Sequence, residues 1–452
     1  MKFQAVKGTR DFYPEQMRLR SYIVDTWRRV SLRNGFEEYD SPIFEYLDLF
    51  TIKSGDEIAE QLFNFTDRGD RHLAIRPEIT PSLARMVNAK ISTLPRPIKW
   101  FSVPRLCRAE RPQKGRLREF FQWNIDIIGA DDVLADAECI YVAIDLLREL
   151  GLTPADVTVR IGSRPLAVSA ITSAGVAADR VEEILPVLDK RAKLPEEKFT
   201  ALCEEKGLTP EQIDAICAFQ DADSVEAVRS ALGDSDDETI TAALDDLGQL
   251  LDHLDAMGVR DFCRLDMHIV RGLAYYTGIV YEVFDAADSL RAVAGGGRYD
   301  NLLQVLGGPK VGATGFGMGD VVLGILLDEK NKVPSLDQAI DFFVIDDEDD
   351  CLDPVLRVVA GLRRLGWQAA YSFKRQKTPK QLKEALRSGA AAVVFVSRDQ
   401  SGLAGYRLRL KNLRTGKQHN NNFLVREFLE RPELSTVRDI DTLLERFGLD
   451  GE

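Results

Sequence analysis

The feature that most narrows the fold is the run REFFQWNIDIIG, residues 118–129, whose polar and apolar side chains alternate. Successive side chains on a strand point to opposite faces. Phe121, Trp123, Ile125 and Ile127 therefore share one face, suited to packing on helices, while Phe120, Gln122, Asn124 and Asp126 share the other. A face that mixes an aromatic ring with short polar groups suits the floor of an open pocket. The preceding run IKWFSVPRLCR also reads as a strand, ending at Arg108, and AERPQKGRL between the two carries Pro112 and Gly115 as turn signals. The expected unit is an antiparallel pair joined by a long basic loop, with Arg108 near the pocket floor. Guanidinium groups offer several donors in a fixed fork, which suits phosphate. The plainer alternative is a solvated basic hairpin over a satisfied core.

The rest of the chain places this hairpin in a larger α+β frame. Pro14 to Gly35 reads as an amphipathic helix, with Leu19, Tyr22, Ile23, Thr26, Trp27 and Val30 at helical spacing. FEEYDSPIFEY is extended, RHLAIRPEITPSLARMVNAKI is a strand, a turn at Arg76 to Pro81 and a helix, and Asp131 to Leu150 is a helix closed by Gly151. After the strand ADVTVRIGS the texture changes: from about Arg164 to Gly258 strand signals vanish and acidic helices punctuated by glycine follow one another. Strands return in CRLDMHIV, YYTGIVYEVFD and LRAVAGGGRYDNLL, and GATGFGMGDVVLGILLDEK runs from a strand through glycines into a helix. The expected organisation is a mixed domain in two parts, 1–163 and 259–331, around a helical insertion at 164–258. A linker at 332–338 then leads to a small βαβ-type α/β domain with its tail over 339–452.

Composition excludes several classes. With 45% hydrophobic and 29% charged residues and a net charge of −13, the chain is an ordinary globular one, unsuited to indiscriminate nucleic-acid binding. A local basic patch remains open: from Lys374 to Lys417 there are twelve basic residues against Glu384 and Asp399. The six cysteines and four histidines are scattered without a CxxC pair, which argues against structural zinc and for a reducing compartment. The N-terminus has no apolar core of signal-peptide type and no run reaches membrane-spanning length, so a cytosolic protein without membrane association is expected.

Further segments have pocket character. RPEITP sets Glu78 and Thr80 at a strand-to-helix turn, where a carboxylate beside a hydroxyl can hold an ammonium group; Thr80 before Pro81 also reads as an N-cap. VRGLAYYTG puts Arg271 beside Gly272 and then Tyr275 and Tyr276, one of which faces the core and the other a ligand if the segment is a strand. AGGGRYD has glycines at 295–297 that let the backbone approach a ligand or another strand, and it lacks the GK[ST] ending of a Walker loop.

Taken together, KGTRDFYP, RPEITPSLARM, CRAERPQKGRLREFFQ, RGLAYYTG and AGGGRYDNLL resemble the histidyl-tRNA synthetases, histidine–tRNA ligases of the second aminoacyl-tRNA synthetase class, nearly end to end. The resemblance implies an α+β catalytic domain on an antiparallel sheet of class II type with a helical insertion, a C-terminal α/β anticodon-binding domain, and a homodimer. It implies that histidine and ATP form histidyl-adenylate with magnesium present, and that histidine then passes to the 3′ end of its tRNA. By family pattern Glu78 and Thr80 hold the α-amino group, Arg108 the α-phosphate or carboxylate, and Gln122 the substrate beside it. Arg116 reaches the outer phosphates, and Glu110 and Phe120 serve the adenine. Asp126 and Tyr276 contact the imidazole, with Tyr275 adjacent, and Arg271 is the cation at the reacting phosphate.

Two departures stand out. The family commonly has glutamate at the place of Asp126, and its third class motif ends in an arginine over ATP where this chain has Val322, after Asp320 and Val321. Either another cation substitutes, or nucleotide binding is weaker, or the chain is a divergent branch; an active chain is expected, with Arg298 one candidate substitute. The rival readings are the family's non-ligating paralogue, the regulatory subunit of ATP phosphoribosyltransferase, and an RNA-binding protein on an inactive scaffold. The paralogue typically lacks the anticodon-binding domain and the RGLAYY-type segment; the intact arginines 108, 116 and 271 oppose the inactive scaffold. A different amino acid as substrate is opposed by the 271–276 segment.

Overall fold

The computed structural model describes residues 3–54, 62–191, 194–233, 237–269, 276–336, 340–347, 351–374, 376–398, 405–419 and 423–449. Arg271 and Tyr275 lie outside the described residues. The chain divides into two compact units, Met1–Pro334 and Ser335–Glu452, with the division inside the expected linker.

The strands of the first unit are, in chain order, β1 (Glu37–Glu38), β2 (Phe44–Tyr46), β3 (Asn64–Thr66), β4 (His72–Ile75), β5 (Ile98–Ser102) and β6 (Arg105–Cys107). They continue with β7 (Glu119–Ile128), β8 (Val157–Ser163), β9 (Cys263–Leu265), β10 (Ile279–Asp285), β11 (Ala294–Arg298) and β12 (Ala313–Gly319). The main sheet has the order β1-β5-β7-β12-β11-β10-β8-β9, with β6 also paired to β7. Pairing is antiparallel throughout the middle and parallel only at the two ends, β1 with β5 and β8 with β9. A smaller sheet, β2-β4-β3, stands beside it.

The alternation in β7 is realised as a two-faced strand. Trp123, Ile125 and Ile127 are buried in the core formed with helices Pro14–Arg33, Leu134–Glu149 and Asp320–Glu329. Trp123 stacks on Trp27 of the first helix at 6.2 Å, and its indole N–H donates to Ser31 Oγ at 2.8 Å. Each such large side chain contributes about 1.5–3 kcal/mol by leaving water, so a one-residue slip of β7 would forfeit several such terms at once.

Every described element between Arg164 and Ala256 is helical. These helices carry the local stop and start signals of their sequence: Thr209 and Gln212 form a capping box, and Ser224 and Asp237 cap the helices they precede. Their apolar faces do not form a separate core. Leu166, Ile184, Phe199, Ile213 and Leu247 are continuous with the helix-packed side of the main sheet.

In the second unit β13 (Phe342–Asp346), β14 (Ala369–Tyr371), β15 (Ala392–Arg398), β16 (Tyr406–Asn412) and β17 (Phe423–Leu424) form a mixed sheet, order β14-β13-β15-β16-β17. β13 is parallel to both neighbours, and the remaining pairs are antiparallel.

The structure corrects three local expectations. The strand expected over IKWFSVPRLCR is divided into β5 and β6, because Pro104 has no N–H to give to the ladder. Among the described residues of CRLDMHIV only Cys263–Leu265 is a strand; the chain turns at Asp266, whose N–H donates to Ile161 O. The tail is part of the second unit's core: helices Val425–Leu429, Pro432–Thr436 and Ile440–Arg446 bury Phe428, Leu434, Leu443, Leu444 and Phe447. Among the described residues no helix is long and apolar enough to cross a membrane.

Candidate active site

The polar face of β7 lies against a strip of bare backbone. In the β7–β12 register Asp126 is opposite Gly315, Asn124 opposite Gly317 and Gln122 opposite Gly319. On the next strand Gly297 pairs with Gly315 and Gly295 with Gly317. Without Cβ atoms these positions let the side chains of β7 lean across the sheet. A Cβ built on Gly317 would lie 2.7 Å from Gln122 Nε2, and one on Gly315 would strike both Asp126 Oδ1 and the Ile125 carbonyl. The glycine floor therefore gives the cavity its depth.

The basic loop is an ordered hairpin. Arg108 N–H donates to Arg118 O at 2.8 Å, and Gln113 and Arg116 exchange backbone bonds of 2.9 Å around Gly115, whose φ of +77° suits glycine. Arg116 Nη1 donates to Glu110 Oε1 at 2.7 Å, while Glu110 Oε2 is buried without a hydrogen-bond partner among the described residues. The N-terminal segment braces the same hairpin. Arg118 N–H donates to Gly8 O at 2.8 Å, and Arg10 Nη2 donates to Asp320 Oδ2 at 2.6 Å. Asp320 Oδ1 in turn accepts the Phe121 N–H at 2.9 Å. Burial pushes the Asp320 carboxyl up, and Arg10 opposes that shift.

The Glu78 turn is tied to the same strands. Arg76 is 3% exposed and donates to Arg105 O at 3.2 Å and to Ser41 O at 2.7 Å; Arg108 Nε donates to Pro77 O at 3.0 Å. Thr80 is not the helix cap expected from the sequence. Ile79 already has near-helical dihedrals, so Thr80 is the first helical residue and Pro81 the second, and no side chain caps the helix.

These elements enclose a cavity of about 810 Å³, within the usual range for a small-molecule site. Arg108, Glu110, Arg116, Phe120 and Gln122 line it, and Arg108 lies over the Phe120 ring at 5.2 Å. Five residues of one predicted hairpin thus meet in one space. Glu78, Thr80, Asp126 and Tyr276 are not on this lining. Asp126 is 3% exposed and accepts from the Tyr299 hydroxyl. Tyr276 is 5% exposed and crowds Gly297, the pairing neighbour of Gly315, over which Asp126 leans. Asp126 and Tyr276 therefore flank one glycine pair, beside the larger cavity.

The far wall was not anticipated from the sequence. Arg160, Asp189, Asp266, His268, Glu282, Asp288 and Arg291 line it. Much of it is self-paired: Arg160 bridges Asp288 and Asp266, and His268 Nδ1 lies 3.0 Å from Asp266 Oδ1. Burial works to raise the Asp266 carboxyl, and His268 and Arg160 outweigh it, holding the group below its usual range. No motif marks these residues; only the folding of β8 against β10 brings Arg160 opposite Glu282.

Comparison with known proteins decides the family. The histidyl-tRNA synthetase family profile matches residues 8–319. The histidine–tRNA ligase of Opitutus terrae is 39% identical over 91% of this chain and 94% of its own length. The chain belongs to the histidyl-tRNA synthetase family. The chloroplastic/mitochondrial histidine–tRNA ligase of Arabidopsis thaliana is 37% identical over 87% of this chain and 80% of its own. The crystal structure of histidyl-tRNA synthetase from Nostoc superposes with a TM-score of 0.79 at 23% identity, covering 95% of this chain and 98% of that one, which establishes the shared fold.

Against that family background the two departures have structural settings. The carboxylate of Asp126 is shorter than glutamate and rests on Tyr299. Val322 borders the cavity with Val321, and the Asp320 before it is engaged by Arg10 and the β7 backbone. Arg298, offered above as a substitute cation, faces elsewhere. It is 8% exposed and its five N–H donors go to Asp136 at 2.9 and 2.5 Å, to Asp132 O at 2.9 Å, to Ala130 O at 3.1 Å and to Asp300 at 3.3 Å. A cation so fully engaged holds helix Leu134–Glu149 to β11 and has no donors left for a nucleotide.

Proposed function

We propose that this chain ligates histidine to its tRNA in the order activation, then transfer, with the cavity beside β7 as the site of both. The observation that carries this reading is the convergence of Arg108, Arg116, Glu110, Phe120 and Gln122 on one cavity over a glycine floor. In-line attack of the histidine carboxylate on the α-phosphorus of ATP builds negative charge on phosphate oxygens, and fixed guanidinium groups stabilise that charge without reorganising. Arg108 and Arg271 serve the reacting phosphate and carboxylate, and Arg116 leaves Glu110 to reach the outer phosphates. Phe120 stacks on adenine, whose amino group finds the free oxygen of Glu110. Glu78 and Thr80 take the α-ammonium group, with Gln122 beside it.

Imidazole presents two distinct nitrogens and calls for a partner at each. Asp126 and Tyr276, on either side of the Gly297–Gly315 pair, are assigned to them, with Tyr275 adjacent. Among the described residues no group of three or more His, Cys, Asp or Glu side chains forms a metal centre. Magnesium commonly binds through substrate phosphates and one or two carboxylates. It would therefore enter on ATP; Glu282 at the wall would be the carboxylate to help hold it, and the ion would supply positive charge at the phosphates.

The tRNA partner is supported by the basic second unit, where Phe373 is 88% exposed next to Lys374 and 5.0 Å from the Tyr371 ring, an arrangement suited to stacking an unpaired base. A homodimer is supported by uncovered apolar residues on and next to the strand Phe44–Tyr46 of the small sheet: Ile43, Phe44, Tyr46 and, on the following helix Asp48–Ser54, Ile52 are each more than half exposed. We place the protein in the cytosol, in keeping with its scattered free cysteines. The deciding assay is histidine-dependent ATP–pyrophosphate exchange followed by charging of tRNA. Exchange driven by another amino acid, or none at saturating ATP, would refute the proposal.

A further inference from the structure

Besides Arg160, which is engaged by Asp266 and Asp288, three guanidinium groups line the cavity, and they differ in what satisfies them. Arg116 is paired with Glu110, and Arg108 donates to the Pro77 carbonyl. Arg291 has no hydrogen bond or ion pair among the described residues, although it lines the cavity. Its place is built by the turn between β10 and β11. Asp285, 2% exposed, accepts from Ser289 N–H and Oγ at 3.0 Å and from Leu290 N–H at 2.8 Å; Val293 N–H then rejoins the sheet at Val283 O, 2.7 Å away. This anchoring delivers the residue after Leu290 to the cavity rim. Gly115, at the tip of the basic hairpin, locates it: a Cβ built there would lie 3.3 Å from Val322 Cγ2 and 3.8 Å from Arg291 Cδ. The side chains of 291 and 322 thus both approach the tip of the hairpin that carries Arg116, from two different elements.

We infer that Arg291 binds the outer phosphates of ATP, supplying from the β10–β11 turn the cation that position 322 lacks. The inference rests on the ATP-binding reading of this cavity given above. Its physical ground is the uncompensated positive charge of this corner. Burial, and then Arg116 and Arg108, push the Arg291 guanidinium down from its ordinary value, with Glu110 and Glu282 pulling the other way. Arginine does not lose its proton under such pressure, so the repulsion persists until an anion enters. A polyphosphate between Arg116 and Arg291 removes it and offers each fork its oxygens. Val322 and the Arg291 stem both lie near Gly115, so a second arginine at position 322 would add a further like charge to this corner.

The test is histidine-dependent pyrophosphate exchange by the full chain, read as KM for ATP and KM for histidine separately, with melting temperature as a control on folding. Arg291→Ala should raise KM for ATP by roughly 10- to 100-fold, the cost of a charge-assisted hydrogen bond. It should leave KM for histidine within about twofold and the melting temperature within a few degrees. Arg291→Lys should recover part of the loss, because a point charge replaces a fork. The double variant Arg291→Ala, Val322→Arg should recover more than half of the lost affinity by returning a cation from the neighbouring element. An unchanged KM for ATP in Arg291→Ala, or an equal rise for both substrates, overturns the inference while leaving the ATP reading intact. A wild-type chain that shows no exchange overturns both.

Discussion

Replacing Gly317 by alanine separates the role of the glycine floor from its contribution to stability. The new Cβ would sit 2.7 Å from Gln122 Nε2 and 2.8 Å from its Cδ, against the 3.4 Å at which ordinary contact begins. The deficit of about 0.7 Å falls on the end of a side chain, which can rotate away. An off-rotamer adjustment costs about 0.5–1.5 kcal/mol, and the loss of glycine's freedom in the unfolded chain returns about 0.4–1 kcal/mol. Stability should therefore change by no more than about 1 kcal/mol. Activity should suffer far more, because the Gln122 amide moves by the order of an ångström at the substrate, and a displacement of that size costs on the order of 100-fold. Gly315→Ala is the matched control. Its Cβ meets the Ile125 carbonyl, which is ladder backbone and cannot rotate aside, so overpacking of about 1–3 kcal/mol or more is expected. At about 2–4 °C per kcal/mol the two variants should be distinct in a thermal scan run beside the exchange assay. Wild-type kcat/KM in Gly317→Ala, or equal melting losses in both variants, would show that the floor does not set the position of Gln122.

Arg298→Met should strand Asp136 in the core and cost about 3–5 kcal/mol. Burial already raises the Asp136 carboxyl and Arg298 restrains it. With that restraint gone the folded-state pKa rises further, so the deficit is fully present above the folded-state pKa and shrinks as pH falls through it toward the ordinary carboxylate range; urea unfolding across that pH series checks this. Phe44→Asp, on the 54%-exposed ring of the small sheet, should shift the protein to monomer in sedimentation while the melting of each unit is little changed. Native thiols should react slowly with a disulfide reagent at mildly alkaline pH, since burial pushes Cys203 up to about 11 and Cys263 up to about 12, whereas the unfolded chain should release all six at once.

Much of the site was legible before the fold was known, because it is local. Period two alone put Phe120, Gln122 and Asp126 on one face of β7, and Pro112 with Gly115 marked the hairpin that presents Arg116. The helical stretch from Arg164 onward was equally plain, since capping and amphipathic spacing are written within each segment. The C-terminal helices were missed because they are short, and their helicity depends on Phe428 and Phe447 finding a core they cannot form alone.

By itself, then, the sequence determined which side chains share a face and where the longer helices and most strands lie, since these follow from spacings of a few residues. Only the tertiary structure decided which cations are spent and which remain. Arg298 and Arg291 stand within one glycine-rich segment and look alike in the sequence. One is locked to Asp136, brought to it by a distant helix, and the other is left facing the cavity. Charge compensation acts through space, and the partners that settle it lie far away along the chain.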